Sequence, residues 1–408
     1  MTMYKLATAV FFSVLFSLPV RAEDFPGGED VTSAEEFEKG FGETKGISEA
    51  EKSGADDDRL KIGGRLASDL YILGSGSRDQ LSNPNTLWIY LDARLRHGIR
   101  AYVKARGVVE GTGTPAANEE IGSQAIPASN SDVEEMKLFF NASGKAFFTL
   151  GKQQVRWGSG KFWNPTDVLN ATPRDFLYSD DRRSGVSLLK THVPYGAANF
   201  YLVQSFRGAT RTSELGHAAR VEIPILISEL ALTAAKLPQQ SGVFGADLSA
   251  GLGDFDVHGE LAWSDAAGRP SGHTSWVAGA SYELPYLDND VLGFTLEYFR
   301  NADGVTSTAA YLPALATGAY VPFRLARDYA LFMIYAPTPG NWNHTSLSLF
   351  NVFNLTDGSW LTKLSVGFTL MQDLALDMGV SGHFGNKAGE LRLGDQKYDL
   401  NARVKVDF

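Results

Sequence analysis

No cysteine occurs anywhere in the 408 residues, which excludes a disulfide framework and any zinc site built on thiolates. Histidine is scarce too. His97, His192, His217, His258, His273, His344 and His383 are scattered and never fall at a ligand spacing, so no metal site is expected. Gly-x-Ser-x-Gly, His-Glu-x-x-His and phosphate-loop motifs are all missing, and neither an enzyme nor a cofactor is expected. His258, between Asp256 and Glu260 on one strand face, is the nearest thing to an acid/base cluster. Such a histidine is more often a hydrogen-bonded wall residue than a catalyst.

Long apolar runs are lacking beyond the first residues. The nearest, Ile223 to Leu237, is broken by Pro224, Ser228, Glu229 and Thr233 and cannot be a membrane helix. If the chain enters a membrane it must do so as a closed barrel, the other spanning form that satisfies every backbone hydrogen bond. A basic surface is also absent, since the net charge is −10. Residues 23–58 alone carry thirteen Asp and Glu against three Lys, so the acidity belongs to this leader. Nucleic acid is not an expected partner.

Residues 1–22 read as a secretory signal: Lys5 gives the positive start, Leu6 to Val20 the apolar stretch, and Val20-Arg21-Ala22 the cleavage pattern. Residues 23–58 are expected to be an acidic periplasmic tail. Ser33 and Glu36 have capping-box spacing for one short helix, and a helix that plugs the lumen is the alternative. Asp56-Asp57-Asp58 lacks the spaced ligands of a calcium loop and reads as a solvated charge run.

From residue 59 to 408 the period is two. Leu87, Ile89, Leu91, Ala93 and Leu95 share one face and Trp88, Tyr90, Asp92, Arg94 and Arg96 the other. After His97-Gly98 the pattern resumes, with Ile99, Ala101, Val103 and Ala105 opposite Arg100, Tyr102, Lys104 and Arg106. Such alternation suits a strand with lipid on one side and water on the other, although a soluble sandwich alternates as well. The pattern predicts about 18 strands (16–18), the first near 59–73 and the last near 396–408. One strand is read at 145–157, with its two faces undecided between Ala146/Phe148/Leu150 and Phe147/Thr149.

The connections discriminate better than any one hairpin. Long ones (110–132, 158–181, 301–325, 385–395) fall on one side, and short ones (His97-Gly98, Ser143-Gly144, Gln372-Asp373, around Gly253) on the other. That asymmetry belongs to outer-membrane barrels. Leu355 to Gly358 and Pro337 to Asn343 break it, and a miscounted strand would account for both. The fold class expected is therefore all-β: a transmembrane antiparallel up-and-down barrel.

The stretch GKQQVRWGSGKFWNPTDVLNATPRDFLYSDDRR, Gly151 to Arg183, does not alternate. Gly158 and Gly160 permit a sharp turn, Pro165 and Pro173 stiffen the path, and Trp157, Phe162 and Trp163 can anchor it to a wall. Arg156, Trp157, Lys161, Trp163, Asp167, Arg174, Asp175, Arg182 and Arg183 are the expected constriction residues. Interleaved charges there would select solutes by charge, unless they only brace the wall. Arg94, Arg96, Arg100, Lys104, Arg106, Arg403 and Lys405 are the expected pore-wall cations, which lean the channel toward anions against Asp256, Glu260 and Glu297.

The segment from Gln153 through Trp157-Gly158-Ser159-Gly160 to Asn164-Pro165-Thr166-Asp167 resembles a loop of porin-like outer-membrane barrel families, and the last strand, ending on Phe408, resembles their terminal strand. The resemblance implies a Gram-negative outer-membrane protein that meets the barrel-assembly machinery through Phe408. It further implies an inward-folded third extracellular loop, contact with outer-membrane lipid and passive passage of small solutes; it carries no catalytic assignments with it, and it leaves monomer and homotrimer both open. Two other readings stand beside a diffusion channel for small polar or anionic solutes. One is a barrel that moves an apolar or polymeric cargo such as lipid, hydrocarbon or polysaccharide. The other is a soluble secreted β protein that binds ligands. A plugged transporter of about 22 strands needs more chain than this.

Overall fold

The computed structural model describes residues 59–408 apart from 77, 96–97, 112–129, 171–182, 239, 266–272, 287–289, 317–320 and 341. The expected signal and acidic tail lie outside the described residues, as do Arg96, Arg174, Asp175 and Arg182.

Among the described residues eighteen antiparallel strands form one sheet. They are β1 (Leu60–Ser75), β2 (Arg78–Ser82 continued by Pro84–Arg94), β3 (Arg100–Glu110), β4 (Asn130–Ala142), β5 (Ala146–Gln153) and β6 (Val186–Tyr195). Next come β7 (Ala198–Ser205), β8 (Gly216–Ile225), β9 (Ser228–Lys236), β10 (Gly242–Leu252), β11 (Phe255–Ser264) and β12 (His273–Pro285). The last six are β13 (Val291–Arg300), β14 (Asp328–Ala336), β15 (Thr345–Asn354), β16 (Ser359–Met371), β17 (Leu374–Phe384) and β18 (Gln396–Asp407). Each pairs with its neighbour in sequence, and β1 pairs with β18 from Arg65 opposite Asp407 to Leu73 opposite Asp399. The sheet is thus a closed barrel with no free edge.

Two ion pairs reinforce the seam: a half-buried one, Arg65 Nε to Asp407 Oδ1 at 2.5 Å, and a buried one, Arg403 Nη2 to Asp69 Oδ2 at 3.1 Å. β2 breaks at Asn83-Pro84, where proline has no N–H to give the ladder. Asn83 fills the gap by donating its Nδ2 to the Asp69 carbonyl at 2.5 Å. The final residue closes the ring: Gly64 N donates to Phe408 O at 2.8 Å, and Phe408 N donates to Gly64 O at 3.0 Å.

The two faces of the sheet differ as the period required. Leu66, Leu70, Ile89, Leu138, Leu232, Phe244, Leu261, Leu296, Leu364 and Val404 stand exposed on the outer face. A continuous apolar face of this kind is stable in lipid and not in water. Aromatic pairs flank the band near strand ends, with Trp276–Tyr298 and Trp360–Phe384 centroids 4.9 and 5.4 Å apart at one rim and Phe255–Tyr282 at 4.9 Å at the other.

Every strand expected from the period is present, but two details differ. β5 ends at Gln153 rather than running to 157, because the chain leaves the ladder there for the long loop. No strand is miscounted around residues 337–358. β14, β15 and β16 are consecutive partners, so the short 355–358 turn and the longer 337–344 connection are real exceptions to the asymmetry. β5 also resolves its ambiguous faces. Phe147 and Thr149 pair with the inward His192 and Lys190, which turns Phe148 and Leu150 outward.

Candidate functional site

The segment between β5 and β6 makes no strand, and its described part (154–170 and 183–185) is tied to the interior face of the opposite wall. Gly158 has φ +106°, a conformation that favours glycine, and a Cβ on Gly160 would overlap the Trp163 carbonyl. This sharp path leaves a run of backbone N–H groups without a ladder, and such groups need acceptors when buried.

Two wall carboxylates supply them. Glu260 of β11 accepts from Gly160 N at 2.6 Å, from Thr166 N at 3.2 Å and Thr166 Oγ1 at 2.8 Å, and from Asn164 Nδ2 at 3.2 Å. Glu297 of β13 accepts from Lys161 N at 2.7 Å, Phe162 N at 3.1 Å and Trp163 N at 2.8 Å. His258 Nε2 lies 2.9 Å from the same Glu297. Both carboxyl groups are buried, so each gives the loop N–H groups acceptors where water cannot.

Aromatics complete the attachment. Trp163 is 1% exposed, donates Nε1 to the Phe323 carbonyl at 3.0 Å and stacks on Phe299 at 5.3 Å. Phe162 meets Phe323 at 5.5 Å and Phe350 at 5.4 Å. Trp157 packs in a second buried cluster with Val155, Leu169, Val186 and Leu188. The wall facing the loop is apolar inward at Val277, Phe299, Leu331, Val352 and Leu361, where other strands carry charge.

Arginines gather around one acid of this loop. Arg183 Nη1 lies 3.4 Å from Asp167 Oδ2, and Asn170 Nδ2 donates to both Asp167 oxygens at 2.8 Å. Arg324 and Arg156 are within electrostatic reach of the same carboxylate, and Arg324 also lies 5.9 Å from the Phe299 ring centroid. Lys161 gives its backbone to Glu297, while its side chain lines a cavity of about 530 Å³ with Ser159, Glu229, Asp256 and His258.

Five of the expected wall cations face inward but are paired. Arg100 binds Asp92 at 2.7 Å, Lys104 and Arg106 share Glu134 at 3.0 and 3.1 Å, and Lys405 meets Asp377 at 3.2 Å. Arg403 is held in the seam by Asp69, and Arg94 is exposed near the short-turn rim. A bulge opposite Lys104–Ala105 turns both Glu134 and Glu135 inward, so the wall carries balanced charge rather than a bare basic ladder.

Arg324 and the carboxylates' role as loop holders escaped the sequence reading. Glu260 and Glu297 drew notice as acidic wall charge, and Glu260 also as a neighbour of His258. Their loop partners lie about a hundred residues away or more and are mostly backbone groups, which no side-chain pattern records.

A polar cluster joins the outer loops above. Glu390 accepts from Tyr329 OH, Asn354 Nδ2 (3.0 Å) and Leu325 N (3.3 Å), while Tyr311 OH and Glu390 N both donate to Asp357 Oδ2, at 2.6 and 2.8 Å. Burial pushes the Glu390 carboxyl up to about 7 from an ordinary 4.5, against its hydrogen-bond donors, and the Asp357 charge adds to the rise. Its protonated form is therefore favoured in the folded loops. The stabilisation is full below pH about 4.5 and is lost as pH rises through about 7, a difference of about 3 kcal/mol. Protease cleavage of the 385–395 segment should thus increase between pH 5 and 8, and Glu390→Gln should flatten that dependence.

No family model matches the chain, and no curated protein matches it in sequence. Its fold matches solved barrels. OccK2 (OpdF) of Pseudomonas aeruginosa is 12% identical, with a TM-score of 0.58 over 86% of this chain and 97% of that one. A BenF-like porin of Pseudomonas fluorescens Pf-5 is 12% identical, with a TM-score of 0.55 over 87% and 100%. OprD of Pseudomonas aeruginosa is 10% identical, with a TM-score of 0.55 over 86% and 93%. OccK2 has also been solved in complex with glucuronate. At this identity the likeness is one of fold.

Proposed function

We propose that this chain is a Gram-negative outer-membrane channel for passive diffusion of small polar solutes, anions preferred, with loop 158–183 as its constriction. The observation that carries the reading is the arginine group, Arg156, Arg183 and Arg324, around the Asp167 carboxylate on a loop clamped to the interior wall. Cations in excess at a narrow, poorly hydrated passage lower the barrier for anions and raise it for cations. The barrel fold, shared with outer-membrane channels of which one is solved with glucuronate, agrees with a small anionic cargo.

The apolar-cargo alternative is less well supported. Trp157, Phe162 and Trp163 are consumed in packing and offer no sliding surface. The terminal strand ending on Phe408 would serve as the recognition element of the assembly machinery, and residues 1–22 as the export signal. The test is ion selectivity in a planar bilayer under a salt gradient. Wild type should prefer anions, and Arg324→Ala should lower that preference severalfold while conductance steps persist. Equal selectivity in the two would remove the arginine group from the account.

A further inference from the structure

The outer face of the barrel is not uniform. A cavity of about 720 Å³ opens on it across β6 to β10. In register, Leu202, Ala219, Ala234 and Phe244 form one row, and Phe200, Val221 and Leu232 form the next. Arg220, bonded to Asp247, points to the lumen, so these alternating neighbours point out. The two alanines leave a notch between Leu202 and Phe244 that spans two strands, roughly 10 Å across. Its walls, Phe200, Leu232 and Phe244, are 44%, 46% and 46% exposed.

The long-loop end of this notch is basic. His217 and Lys236 are register partners, each two residues beyond a notch alanine on the same outward face, hence roughly 7 Å above it. The loop joining β7 to β8 adds the exposed Arg207 and Arg211. The acid of that loop, Glu214, is turned back on the backbone, accepting from Thr210 N at 2.8 Å and Arg211 N at 3.2 Å. A greasy slot one chain wide, capped by cations at the level of the membrane surface, is complementary to an acyl chain under a phosphate.

We infer that this outward groove seats one acyl chain of a phosphorylated lipid of the outer leaflet, with Arg207, Arg211, His217 and Lys236 around its phosphate. The inference rests on the outer-membrane placement proposed above, but not on conduction. A second copy of the chain is the competing occupant. As a two-fold dimer it is disfavoured, because such a contact would bring two such basic rims together.

The test uses the refolded full chain in neutral detergent, with the midpoint of heat-induced mobility change on a gel as readout. Diphosphoryl lipid A, an acylated and phosphorylated glucosamine disaccharide, is the probe and phosphatidylcholine the control. Lipid A should raise the wild-type midpoint more than phosphatidylcholine does. Arg211→Gln with Lys236→Gln should weaken the apparent lipid A affinity by about tenfold or more. Ala234→Trp, or Ala219→Leu if that variant does not refold, should abolish the effect and leave conductance unchanged. Equal stabilisation by both lipids, or a filled groove that still responds, would overturn the proposal. So would an oligomer in sedimentation that Ala234→Trp dissolves, since that makes the groove an interface between copies. A wild type that responds to lipid A but does not conduct would sink the channel reading and leave the lipid seat standing.

Discussion

Replacing both clamp carboxylates, Glu260→Ala with Glu297→Ala, is expected to free the loop and produce a larger, noisier single-channel conductance. Five backbone N–H groups, of Gly160, Lys161, Phe162, Trp163 and Thr166, would lose their acceptors at once. Each buried orphan costs about 1–3 kcal/mol, so the loop is more stable hydrated than docked. Removing the two buried carboxyl groups relieves their own desolvation but gives the loop no new acceptors. The wall itself should survive, since β11 and β13 keep complete ladders on both sides. Trypsin provides a second readout: cleavage after Arg156 or Lys161 should become fast in the variant. A conductance and cleavage pattern identical to wild type would mean that the aromatics alone hold the loop.

The second large effect is expected from Trp163→Ala. This side chain is 1% exposed and joins β13, β14 and the 301–327 loop through Phe299, Tyr329 and the Phe323 carbonyl. Large-to-small changes at such sites cost about 3–5 kcal/mol. The midpoint of heat-induced mobility change should drop clearly, and the conductance should move in the same direction as in the clamp variant. Trp276→Ala is the control. Trp276 points outward beside Tyr298, where lipid can fill the space it leaves, so its effect should be small.

The barrel was legible because its physics is local. Period-two alternation in Leu87–Arg106 fixes faces without any knowledge of partners, and the long and short connections fix the sides. Where a local rule was broken the reading blurred. β5 carries Phe147 and Phe148 on opposite faces, and Gly151 sits at φ +130°, so apolar character did not report direction there. The loop's anchoring role was legible from its Trp, Pro and Gly content. What holds it was not, because Glu297 and Trp163 are joined by contacts 134 residues apart between a side chain and a backbone group. The wall cations teach a related lesson. Their inward direction followed from parity, but their neutralisation by Glu134 depends on a bulge that alternation does not encode.

The most direct test of the central claim is single-channel recording of the refolded, heat-modifiable barrel in a planar bilayer with a salt gradient across it. Discrete steps with a reversal potential on the anion side, shifted toward zero by Arg324→Ala, are the predicted result. A correctly folded barrel that passes no current, or one that prefers cations unchanged by that substitution, would contradict it.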